Sequence, residues 1–78
     1  MTPEEQRAEE QAALERERQA FERRQKAFIS VTRQFLPHGS GNPSADDLSE
    51  LDAADAEWRA ADAEMQRIGE EIRTGKRR

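Results

Sequence analysis

Pro37-His38-Gly39-Ser40-Gly41-Asn42-Pro43 holds two of the three prolines and two of the four glycines in a chain of 78 residues. Proline removes a backbone donor and glycine opens left-handed backbone angles, so this stretch cannot carry a helix and reads as a loop over residues 37–43. Everything on either side of it reads as helix. Upstream, no Gly or Pro interrupts the chain between Pro3 and Leu36, and the run is rich in Glu, Gln, Arg and Ala, all good helix formers. Thr2-Pro3-Glu4-Glu5 marks its start, with a capping hydroxyl, a proline suited to the first helical position, and acids at the positive end of the helix dipole. Downstream, Ser44-Ala45-Asp46-Asp47 repeats the same logic, and Gly75 supplies a stop. The expectation is one domain over residues 1–78: helix 3–36, loop 37–43, helix 45–74, and a basic tail 75–78 that frays.

Each predicted helix carries one apolar edge. Leu14, Phe21, Phe28 and Phe35 recur every seven residues in the first, each preceded by Ala or Gln. In the second, Leu51, Ala54, Trp58, Ala61, Met65, Ile68 and Ile72 alternate steps of three and four, the pattern of a coiled-coil seam. If the chain reverses near residue 40, positions whose numbers sum to about 79 lie opposite one another. Phe28 then faces Leu51, Phe21 faces Trp58 and Leu14 faces Met65. These residues, with Phe35, Ile68 and Ile72, form the expected helix–helix seam, and the alanines beside them allow the two backbones to approach.

Charge selects the same orientation. Residues 4 to 10 carry four acids and one Arg (net −3), and residues 15 to 33 carry three acids and six bases (net +3). Residues 46 to 64 carry eight acids and one Arg (net −7), and residues 67 to 78 carry two acids and five bases (net +3). Antiparallel folding sets opposite signs beside each other, whereas a parallel pair sets −3 against −7 and +3 against +3. Exposed pairs are worth only about 0 to 1 kcal/mol each, so they choose an arrangement more than they stabilise it. The fold class expected is all-α: an antiparallel, coiled-coil-like two-helix hairpin.

A chain this small has little core and needs help to stay folded. It has no cysteine and a single histidine, so neither disulfides nor a structural zinc site can provide that help. Association is what remains, and the hairpin is expected to pair with a second copy as a dimeric four-helix bundle, or with a partner protein. Ile29, Val31 and Leu36 widen the apolar face near the loop, and with Leu48 they make the expected partner surface. A chain that folds only on binding its partner is the more extreme form of the same reading.

Clustered cations suggest a second function. Arg16, Arg23, Arg24, Lys26 and Arg33, with Lys76, Arg77 and Arg78 in the tail, are the candidate nucleic-acid contacts, since phosphates are gripped by Arg and Lys gathered on one face. The net charge of −4 and the acids expected alongside argue against it. Little else carries chemistry. His38 lies in the loop beside Ser40, too local to imply a catalytic constellation. The acids from Asp46 to Glu57 sit on a helix and lack the alternating ligands and turn glycine of a calcium loop. No phosphate-binding loop, HExxH, CxxC or GxSxG element is present. No catalytic residue, metal, cofactor, small-molecule substrate or membrane partner is expected. With no apolar run near the roughly 20 residues that span a bilayer and no signal-like start, a cytoplasmic location is expected.

Overall fold

A computed structural model describes residues 1–77 as two long helices folded back on each other, α1 over Pro3–Thr32 and α2 over Ala45–Arg73. The molecule measures 53 × 19 × 18 Å. Among the described residues there is no strand.

Both helix starts are capped as the sequence predicts. The Thr2 hydroxyl accepts the Glu5 N–H at 3.1 Å, and the Ser44 hydroxyl accepts the Asp47 N–H at 3.0 Å, each satisfying an amide that lacks an intrahelical partner. At the other end of α2, Gly75 takes a left-handed φ of 79°. Its N–H donates to the Ile72 carbonyl at 3.2 Å and the Lys76 N–H donates to that of Glu71 at 2.8 Å, the paired bonds of a Schellman stop.

α1 ends earlier than the expected residue 36. It closes at Thr32 and tightens into a 3-10 turn over Arg33–Phe35. Leu36 is then extended at φ −74° and ψ 161°, because the Pro37 ring clashes with a helical residue before it. The loop folds back onto this turn, with the Gly39 N–H bonded to the Leu36 carbonyl at 2.8 Å and the Gly41 N–H to the Gln34 carbonyl at 2.7 Å. Gly41 is left-handed at φ 85°. Gly39 is needed for a different reason: a Cβ there would lie 2.5 Å from the Gln34 carbonyl oxygen.

The seam differs from the expected one. Ala13, Ala20, Ala27 and Val31 of α1 are buried against Ala54, Ala61 and Ile68 of α2. Of the large residues expected between the helices, only Ile68 is buried. Leu51, Trp58 and Met65 are half-buried. Leu14, Phe21, Phe28, Phe35 and Ile72 stand between 46% and 64% exposed. The reason is steric. An alanine every seventh residue lets the two helices pack closely along that line, with Val31 and Ile68 filling the seam toward its two ends. A residue one position on is rotated about 100° around the helix, so Leu14, Phe21 and Phe28 project from the edge of the seam.

Candidate functional site

The hairpin has two unlike flanks, distinguished by the neighbouring residues Arg23 and Arg24. On one flank, Arg23 reaches across to α2, its Nε donating to Glu50 at 2.8 Å and a terminal nitrogen pairing with Glu57. Near the chain ends, Arg67 meets Glu9 at 3.2 Å and Glu64 at 2.5 Å. Arg77, whose side chain is only 5% exposed, pairs with Glu9, with Glu10 at 3.5 Å and with Glu71 at 3.0 Å. The tail expected to fray is therefore clasped through Arg77 to the first turns of α1. These pairs shift the titrating groups. The Arg77 guanidinium holds Glu9 below the usual carboxylate range, and Arg23 and Arg67 do the same to Glu50 and Glu64. Arg23 and Arg67 are in turn raised by the carboxylates they bind.

Arg24 occupies the other flank. Its Nε donates to Asp55 at 2.9 Å, and its guanidinium lies 5.2 Å from the centre of the Trp58 ring, within cation–π range. The Trp58 Nε1 is buried with no hydrogen-bond partner, which leaves the indole acting as an apolar group. Residues four apart stack on one helix face, so Leu14, Phe21 and Phe28 line the same flank as Glu10, Glu17 and Arg24. Leu51, Trp58, Met65 and Ile72, seven residues apart, line it from α2, with Leu48 three residues before the first of them. The Arg24–Asp55 bridge fixes the level of the two lines and sets Phe21 near the height of Trp58. Ion pairs join the helices on both flanks, and the Arg24 flank in addition presents two lines of large apolar groups.

The other sequence candidates are distributed differently. Val31 is buried in the seam and is not available to a partner. Ile29 and Leu36 are exposed together beside Thr32 and Arg33, and Leu48 is exposed on α2, so with Val31 buried the four do not form one surface. Among the proposed nucleic-acid contacts, Arg23, Arg24 and Arg77 are engaged by carboxylates as above. Arg16, Lys26, Arg33 and Lys76 are exposed. Arg78 lies outside the described residues. Ser40 hydrogen-bonds Gln34 and Asn42 and makes no bond to His38. Among the described residues, no three His, Cys, Asp or Glu side chains gather as a metal site requires, and no helix is long and apolar enough to cross a membrane.

The alanines that form the seam were missing from the expected site residues. Their signal was plain in the sequence, as a seven-residue alanine repeat at 13, 20 and 27 answered by Ala54 and Ala61.

No protein-family model, curated protein or solved structure matches this chain.

Proposed function

We propose that the chain is a non-enzymatic interaction module whose Arg24 flank docks against another helical surface. The observation that carries this reading is the displacement of Phe21, Phe28, Leu14 and Ile72 from the alanine seam: each is about half exposed on an otherwise highly charged protein. Burying such a side chain fully is worth about 1.5 to 3 kcal/mol relative to leaving it in water, and a row of them is a strong drive to associate. A hairpin whose buried residues are mostly alanines has few other sources of stability.

A nucleic-acid role for the α1 arginines has less support, because Arg23 and Arg24 already hold Glu50, Glu57 and Asp55. To grip phosphate they would have to leave carboxylates that neutralise them.

The test compares the wild type with a Phe21→Glu plus Phe28→Glu variant. Wild type is expected to bind an apolar fluorescent dye or to associate, and the variant to lose both while keeping its helical circular dichroism. Unchanged behaviour in a folded variant rejects the reading. Salt-sensitive binding to RNA or duplex DNA, retained in that variant, favours the arginine role instead.

A further inference from the structure

We infer that the occupant of the Arg24 flank is a second copy of the chain, with a two-fold axis along the helices, so that α1 of each copy lies antiparallel on α2 of the other. This rests on the docking reading above and specifies the partner. Three observations favour it.

The first is register. Leu14, Phe21 and Phe28 on α1 and Met65, Trp58 and Leu51 on α2 run in opposite directions with the same seven-residue step. The Arg24 contacts to Asp55 and Trp58 fix the two lines at matching heights within one hairpin. Turning one hairpin by 180° about an axis parallel to the helices keeps every height and exchanges α1 for α2. Phe21 of one copy then meets Trp58 of the other, Leu14 meets Met65 and Phe28 meets Leu51. A foreign helix would have to reproduce this spacing, whereas a second copy already has it.

Charge is the second. The α2 edge of the flank carries Asp52, Asp55 and Asp62, with Arg59 as its only base before Arg73. Setting two α2 edges together, as a copy with its loop at the opposite end would do, brings these acids against each other. Setting α1 against α2 instead brings Arg24 to the height of Asp55 and Glu4 to that of Arg73; Glu17 meets the height of Asp62, but Arg18, which also holds Glu15 and Glu22, lies beside that pair.

Size is the third. A stable dimer buries about 800 Å² per partner. A flank running along a molecule 53 Å long and 18 Å across has that footprint.

The arrangement puts both loops at one end, and a distance measurement reads this directly. The chain has no cysteine, so His38→Cys places a single spin label in each exposed loop. Sedimentation equilibrium is expected to show twice the monomer mass, reverting to monomer in Phe28→Glu. Pulsed dipolar spectroscopy on the dimer is expected to give loop labels within about 20 Å, two helix spacings of 8 to 10 Å. A dimer with labels near the molecule's 53 Å length overturns the two-fold placed here and leaves docking between copies standing. A monomer at high concentration that still binds an apolar dye through Phe21 and Phe28 overturns the second copy and leaves the docking reading. A monomer that binds no dye overturns both. The label measurement uses the wild-type flank, so it decides the arrangement even if Phe28→Glu fails to fold.

Discussion

Ala20 and Ala61 are 0% and 1% exposed, and each sits where a conventional coiled coil would place leucine. Enlarging either would ordinarily be taken as an improvement to the seam. Here the opposite is expected. The extra methylenes have no space between closely packed backbones, and overpacking of this kind costs about 1 to 3 kcal/mol. Ala20→Leu and Ala61→Leu are therefore expected to lower the urea midpoint followed by circular dichroism, while Leu at Ala12, exposed on the same helix, leaves it nearly unchanged. Equal or higher stability in both seam variants contradicts an alanine seam. Arg24 shows a related effect of position. One residue from Arg23, it serves the other flank and shields the indole of Trp58.

At the scale of the elements, each helix also depends on its ends, where backbone groups have no intrahelical partner. The Ser44 hydroxyl bound to the Asp47 N–H starts α2 directly after the loop. Ser44→Ala is expected to cost about 1 kcal/mol, as loss of an N-cap does elsewhere, read as a drop in thermal midpoint. Gly39 is the stricter position. Its missing Cβ is what admits the Gln34 carbonyl, so Gly39→Ala must open the turn that carries the bonds from Gly39 and Gly41. A Gly39→Ala protein as stable as wild type would show that this turn is not needed for chain reversal.

For the whole molecule, acid is the informative perturbation. Glu9, Glu15, Glu50 and Glu64 are all held below their ordinary value, in each case chiefly by a hydrogen bond from Arg77, Arg18, Arg23 or Arg67. Carboxylates depressed in the folded state add stability that is complete above the unfolded value, near 4.3, and is lost as pH falls through the folded values. At fixed protein concentration, the thermal midpoint is expected to be level from pH 7 to about 5.5 and to fall steadily below about 4.5. A midpoint that is flat or rising on acidification shows that these pairs contribute nothing. Added salt screens the same exposed pairs and is expected to act in the same direction, more weakly.

Much of this was legible in the linear chain. Pro37, Gly39, Gly41 and Pro43 gave the break, Thr2 and Ser44 gave the starts, and the alternation of charge blocks gave the antiparallel sense, because each of these acts through local backbone chemistry or net charge. The Leu36–Pro37 step bars a helical Leu36, whereas the absence of Gly and Pro before it led the expected helix to run to residue 36, beyond its end at Thr32. Tertiary structure alone decided which of two adjacent seven-residue repeats would face inward. The sequence offers Ala13, Ala20, Ala27 and Leu14, Phe21, Phe28 one position apart, and hydrophobicity by itself favours the larger set. Packing favours the smaller, because two helices that both carry alanine at seven-residue spacing can approach closely along that line, and the large α1 side chains are left at its edge, where another surface can cover them.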